Sequence, residues 1–321
     1  MSAYLLDREG TPQPRIDRAG IESRLTSGEF FWLDLHEPDE QEFGLLRDVF
    51  RFHPLALEDS RKFGQRPKLE GYDDFVFLVL FGAAPPPDED RLVEVHCFYS
   101  ERFLVTVRQD EAPACELLRQ KYARRPAKLA RPIVLLYQLM DQLTDSFFPA
   151  LADFDERIDT IQDELLAAPS EQQLQEIFAL RRRLVVLRRA VTPQRDLAGQ
   201  FAGGITELPG SDVEAERYFR DVYDHLIRLS DLIDSYRDLM ANAMDVYLST
   251  ISNRLNQVMK RLTVITTVAL PLIVMSGFFG QNFGFLVDHI AGWPEFLGFG
   301  IVLPVAALFL LGLYLRRRGL W

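Results

Sequence analysis

The chain has 321 residues, 48% of them hydrophobic, and a formal net charge of −11. That length allows one or two soluble domains with further segments attached, and the acidic balance argues against a nucleic-acid binder, which needs clustered cations for the phosphates. Only Cys97 and Cys115 are present, without CxxC spacing, so reduced thiols facing the cytoplasm are expected. The opening Met1–Glu9 has neither a basic region nor a long apolar core and does not read as a signal peptide.

Residues 1–130 alternate between strand-like and helical patterns, as in a small cytoplasmic α/β domain. Phe31–Leu35 reads as a strand, and Asp39–Glu42 opens a helical stretch with Phe43, Leu46, Val49 and Phe50 on one face. His53–Asp59 reads as a second short helix with Pro54 in its first turn. Three further strand-like runs follow at 75–81, 92–99 and 103–108; the short turn Ser100–Arg102 makes the last two an antiparallel hairpin.

Residues 131–210 lack strand signals. Leu136, Leu139, Leu143, Phe147, Leu151, Phe154 and Ile158 recur at helical spacing in a predicted helix over 133–166, which Pro169 and Ser170 end. A second helix is expected from Glu171 to Val191, before Pro193, giving an antiparallel helical hairpin. Its arginines, Arg181 to Arg183 with Arg188 and Arg189, read most simply as a solvated or ion-paired face.

A loop through Gly203, Gly204 and Pro209 leads into one long stalk helix over 211–261. Phe219, Val222, Leu226, Leu229, Ile233, Tyr236, Met240, Ala243 and Tyr247 recur every three or four residues, the mark of a seam packed on neighbours. No Pro or Gly interrupts the helix before Pro271, so the stalk is expected to run straight into the apolar stretch beyond it. Asp224, Asp231, Asp238 and Asp245, spaced by sevens, form a stripe with Asp221 one turn earlier. Like charges aligned on a packed bundle cost energy unless water or cations neutralise them. The stripe is therefore either a wet outer face or a wall that accumulates cations.

Residues 262–280 carry no charge. At about 1.5 Å per residue they approach the ~30 Å of a bilayer core. A second apolar span is expected over 296–315, after a connecting loop, 281–295, that has Asp288 and Glu295 but no Lys or Arg. Lys260 and Arg261 flank the first span, and Arg316, Arg317 and Arg318 open a basic tail, 316–321. The positive-inside bias then predicts a multi-pass protein of an inner or plasma membrane, both termini cytoplasmic and the loop outside.

A lipid anchor has no need of polar residues, yet Asn256, Met259, Thr263, Thr266 (or Thr267), Leu270 and Val274 share one face. An amide, hydroxyls and large apolar groups together suit a narrow pore with constrictions that gate by dewetting. The competing reading has the Thr hydroxyls bonded back to their own helix carbonyls. Two helices per chain cannot enclose a pore, so conduction needs an oligomer. The span closes on Gly280-Gln281-Asn282, where Asn282 offers neutral oxygen to a hydrated ion at the mouth; Mg²⁺ sheds water reluctantly and would be held through its shell. As a phosphate loop the stretch fails, since no Lys-Ser/Thr follows and no strand precedes it. With no nucleophile–base pair either, an enzyme is not expected. A membrane-anchored scaffold is the reading from another class, and the polar pore face argues against it.

Tyr247–Asn253, Asn256-Gln-Val-Met259-Lys260, Pro271 and Gly280-x-Asn282-Phe283, followed by one more span and a basic tail, resemble the CorA family of divalent-cation transporters. Phe219-Arg-Asp221-Val-Tyr-Asp224-His225 and His53–Asp59, with Gln65–Lys68, resemble its soluble domain. The resemblance implies a funnel-shaped homopentamer: an α+β cytoplasmic domain, a long stalk helix and two C-terminal transmembrane helices, the first lining the pore. It implies a selectivity mouth at Gly280, Gln281 and Asn282, pore-lining positions at Asn256, Met259, Leu262 and Leu270, and a basic collar at Arg316 to Arg318. It also implies that Asp221 binds regulatory Mg²⁺ at the subunit interface, with Asp88 or Asp90 as partner, and that low internal Mg²⁺ opens the channel.

Gln281 departs from the Gly-Met-Asn pattern, and the related ZntB zinc importers vary the same position, so this motif alone does not assign the ion. Oxygen donors favour hard cations. Mg²⁺ is therefore the expected cargo, with Co²⁺ or Ni²⁺ tolerated and proton-coupled Zn²⁺ transport the alternative.

Overall fold

The computed structural model describes residues 2–6, 18–85, 91–124, 131–281, 283–289 and 292–317. They fall into two units, Met1–Glu164 with Ser170–Met244, and Leu165–Pro169 with Asp245–Trp321.

The first unit is built on a six-stranded sheet. Its strands are β1 (Ser2–Leu6), β2 (Phe31–His36), β3 (Lys68–Gly71), β4 (Val76–Ala83), β5 (Leu92–Tyr99) and β6 (Phe103–Arg108), in the order β1-β2-β6-β5-β4-β3. Among the described strands, only β2 and β6 pair in parallel. Strands β4 and β6 are buried along their whole length, which explains their continuous apolar reading. The expected hairpin closes at Ser100, whose N–H donates to Phe103 O and whose Oγ accepts from Arg102 and Phe103 N–H.

Helices α1 (Arg18–Ser27), α2 (Glu40–Asp48), α3 (Pro54–Lys62) and α4 (Pro113–Arg124) belong to the same unit. Helix α2 starts with a capping box: Asp39 Oδ1 accepts from Gln41 and Glu42 N–H, while Glu42 Oε2 accepts from Asp39 N–H. Inside the sheet, Asp34 is 1% exposed and accepts from Thr106 Oγ1 at 2.7 Å and from Arg108 at 3.2 and 3.3 Å. Trp32 Nε1 donates to Thr106 Oγ1, so the buried charge pair sits in a satisfied network.

The helical hairpin differs from expectation in both arms. The first arm is two helices, α5 (Pro132–Asp145) and α6 (Phe147–Ala167), divided at Ser146. Strand β3 pairs with β4 only as far as Val79, so the far edge of β4 needs other partners. Ser146 Oγ accepts from Ala83 N–H at 2.7 Å and donates to Leu143 O. The second arm, α7 (Glu171–Ala202), continues through Pro193 instead of ending before it. The next residue, Gln194, is fully buried and clasps the Phe81 backbone, its Oε1 accepting from N–H at 2.8 Å and its Nε2 donating to C=O at 3.2 Å. Two helices thus complete a sheet edge, and that tertiary bond offsets the proline's lost N–H. Gly82 permits the approach: a Cβ there would lie 2.8 Å from Ser146 Oγ and 2.9 Å from Leu143 Cδ2.

Helix α8 runs unbroken from Val213 to Phe279 through Pro271, so the stalk does continue into the first span. Its buried residues, from Ala215 to Ala243, include every predicted seam position except Tyr247, which is only half-buried because the intrachain packing ends before it. In the second unit α9 (Gly284–His289) occupies part of the expected loop. The second span, α10, covers Trp293–Arg317 and includes a π-helical stretch, Phe296–Val302; it starts three residues before the predicted Phe296, with Pro294 in its first turn. Both α8 and α10 contain a window long and apolar enough to cross a bilayer, none of it buried in the structure.

Candidate pore face and cation cluster

On α8, Asn256, Met259, Leu262, Thr263, Thr266 and Leu270 are all exposed, with Met259, Leu262 and Leu270 at 54–57%. Steps of three and four residues keep Asn256, Met259, Thr263, Thr266 and Leu270 on one face, Leu262 lying beside Thr266. Thr263 Oγ1 donates to Met259 O and Thr266 Oγ1 to Leu262 O, each at 2.8 Å. The hydroxyl protons are thus spent on the helix itself, as the competing reading held, while the oxygens keep free lone pairs.

Gly280 donates to Ser276 O at 2.9 Å, and a Cβ at Gly280 would stand 3.0 Å from that carbonyl. Gln281 is exposed beside it. A cavity of 690 Å³ opens here between the two spans, lined by Ser276, Phe279, Gly280, Gln281, Glu295 and Phe299 among others. Asn282, Asp88, Asp90 and Arg318 lie outside the described residues. Arg316 and Arg317 close α10 and are exposed.

The acidic stripe faces outward: Asp224, Asp231, Asp238 and Asp245 are all exposed, and Asp238 lies 3.5 Å from Arg237. Asp221 is drawn into a different group. It accepts from the Tyr137 hydroxyl at 3.4 Å, next to Asp141 and Asp145 of α5 and His225 of α8. Carboxylate and imidazole atoms of Asp141, Asp145 and His225 lie within 4.8 Å of one another, close enough to share an ion. His225 Nδ1 is 3.2 Å from Asp145 Oδ1 and 3.8 Å from Asp141 Oδ1, yet it is buried and makes no hydrogen bond.

Electrostatics marks the same group. Burial, then the charge of Asp145, pushes the Asp141 carboxyl above the usual carboxylate range, with Asp221 adding to it and His225 opposing. The Tyr137 hydroxyl is pushed up for like reasons, burial first and then Asp141 and Asp221. Carboxylates held together against their mutual repulsion are what a divalent cation relieves. Of these four residues the sequence pointed to Asp221 only, with Asp88 or Asp90 as its expected partner. Two pairs spaced by four, Asp141/Asp145 and Asp221/His225, were the signal available for the rest.

The model of the CorA-like Mg²⁺ transporter protein family matches residues 27–317. The cobalt/magnesium transport protein CorA of Thermotoga maritima is 33% identical over 262 residues, 80% of this chain and 73% of that one. The zinc transport protein ZntB of Cronobacter sakazakii is 27% identical over 316 residues, 97% of this chain and 91% of its own. In structure, the complete CorA magnesium transporter of Methanocaldococcus jannaschii superposes with a TM-score of 0.82 at 22% identity, covering 99% of this chain and 98% of that chain, which establishes the fold. Membrane-type spans, a mixed-sheet domain joined to them by one long helix, and a family match across nearly the whole length lead to one assignment: the chain belongs to the CorA family and is a divalent metal-ion transporter rather than an enzyme.

Proposed function

We propose that this chain forms a homopentameric channel for Mg²⁺ uptake, with Co²⁺ or Ni²⁺ tolerated, and that cytoplasmic Mg²⁺ holds it shut. The observation that carries the reading is the outward face of the first span, where Asn256, Thr263 and Thr266 interleave with Met259, Leu262 and Leu270 and lead to Gly280 and Gln281. Five such faces around an axis make a narrow path wetted by oxygens and interrupted by apolar rings. Gly280, Gln281 and Asn282 form the mouth, where neutral oxygens meet the ion's water shell. Both termini are cytoplasmic, since Lys260, Arg261, Arg316 and Arg317 mark the same side.

Regulation belongs to Asp141, Asp145, Asp221 and His225, with Asp88 or Asp90 of an adjacent copy as further ligands. An ion seated there lowers the repulsion among the carboxylates and stabilises the closed arrangement by its differential affinity.

His225 favours keeping a second reading, since an imidazole with two carboxylates also suits Zn²⁺ or Co²⁺. Ion uptake into proteoliposomes decides between them. Mg²⁺ flux indifferent to a pH gradient, and lost in Asn282→Ala, is the expected result. Zn²⁺ flux driven by the proton gradient assigns the chain to zinc transport, and an oligomer that passes no ion would make it a scaffold.

A further inference from the structure

The arginines of α7 are not uniformly a solvated face. Arg188 and Arg189, with Arg66 from the segment between α3 and β3 and Arg237 from α8, surround a cavity of 340 Å³ whose floor is the buried Leu184 and Ile233. Three separate elements thus bring four arginines to the lining of one concave site in a protein of net charge −11. The carboxylates nearby, Asp234 and Asp238, neutralise only part of this charge. Asp234 Oδ1 lies 3.5 Å from both Arg188 Nε and Arg237 Nη1, and is buried without a hydrogen bond. Asp238 is 3.5 Å from Arg237 Nη2 and is itself exposed. Among the described residues Arg66 and Arg189 have no carboxylate partner.

The segment that presents Arg66 is held from below. Glu94, 8% exposed, accepts from Gly64 N–H at 2.7 Å and from Gln65 N–H at 3.0 Å. The fully buried His96 lies 2.6 Å from Glu94 Oε1 and 3.1 Å from Ser60 Oγ, and Phe63 stacks on its ring. A buried carboxylate and imidazole therefore fix the two residues before Arg66, and Pro67 after it is buried. Preorganised cations above an apolar floor suit a ligand with an anionic end and a flat apolar body. Guanidinium forks match phosphate oxygens in pairs.

We propose that this cavity binds a phosphate-bearing small molecule of the nucleoside polyphosphate class, its phosphates on Arg66, Arg188, Arg189 and Arg237 and its base over Leu184 and Ile233. The site is independent of which cation the channel passes. Occupied, it ties α7 and α8 to the sheet.

The test is calorimetric titration of the full-length chain in detergent with ATP, tripolyphosphate and adenosine, in EDTA so that no probe carries metal. ATP binds, tripolyphosphate binds more weakly and adenosine fails to bind. The exposed pair Arg66→Ala/Arg189→Ala weakens ATP roughly hundredfold, about tenfold per charge-assisted contact. Arg66→Lys/Arg189→Lys, which keeps the charge and loses the forks, weakens it about tenfold and separates a lost contact from a lost fold. Arg316→Ala/Arg317→Ala leaves affinity unchanged. Equal ATP affinity in wild type and the alanine pair overturns the proposal, as does wild-type protein that binds no ATP. If wild type binds none and the alanine pair alters the oligomeric state, the arginines serve contact between copies instead.

Discussion

Two halves of one helix make the most informative contrast in this molecule. From Ala215 to Ala243, α8 buries a residue every three or four positions against its own chain. Beyond Ala243 none of its residues is buried, and Leu255, Met259, Leu262, Ile265, Leu270 and Ile273 are each more than half exposed. The first half owes its place to packing within the chain. The second half exposes apolar residues without an intrachain core, the kind of surface that marks a membrane or interaction face. Intrachain packing is therefore confined to one stretch of the element and exposed apolar surface to the other.

Substitutions can break that contrast, and the largest effect is expected where a buried charge loses its partner. Asp34→Ala strands Arg108 in the sheet and should cost about 3–5 kcal/mol, read as lost amide-exchange protection across β2 and β6. Leu226→Ala, at a fully buried seam position, should cost about 2–5 kcal/mol. The same change at Leu262, 54% exposed, should stay under about 1 kcal/mol while altering ion flux. A Leu262 cost as large as that at Leu226 would erase the division. Gln194→Ala leaves the Phe81 amide unpaired and should cost about 1–3 kcal/mol, loosening β4 in exchange before it loosens β6.

Protonation gives the smallest effect and sharpens the contrast within the first unit. Burial raises Glu94, but His96 and the Gly64 and Gln65 N–H groups outweigh it and hold the carboxyl below the usual range. Its contribution is present above the unfolded carboxyl value and is lost as pH falls through the lower folded one. Asp141 has the opposite sign. Its raised carboxyl binds protons more tightly folded than unfolded, so stability without metal declines as pH climbs from the ordinary value of 3.8 through the raised one. A cation competes with that proton, and Co²⁺ or Mg²⁺ should raise the thermal midpoint more at pH 7 than at pH 5. Asp141→Asn should remove the pH dependence and most of the metal response; a metal response equal to wild type would place the ion elsewhere.

The sequence disclosed what periodicity writes plainly. Buried strands β4, β5 and β6, the seam of α8 and both spans were legible because apolar spacing alone defines them. Strands β1 and β3 were missed, and both are sheet edges; β3, Lys-Leu-Glu-Gly, is half-buried and largely polar. The break at Ser146 and the passage through Pro193 were hidden because β4, more than a hundred residues from Gln194 in the chain, decides them by needing edge partners. In the candidate site, the shared exposed face of Asn256, Met259, Thr263, Thr266 and Leu270 was readable from spacing. The grouping of Asp141, Asp145 and His225 was not, because it depends on α5 lying against α8. The arginine-lined cavity was half visible, as a charge run on α7 whose companions Arg66 and Arg237 only the fold supplies.

The central claim is tested most directly in excised patches with the cytoplasmic unit facing the bath. Conductance is measured as bath Mg²⁺ is stepped from nominally zero to millimolar, in wild type and in Asp141→Asn/Asp221→Asn. The account predicts Mg²⁺ current in wild type that shuts as bath Mg²⁺ rises, and current in the variant that persists. A wild type that conducts equally at every bath Mg²⁺, or a variant that shuts as wild type does, would contradict it.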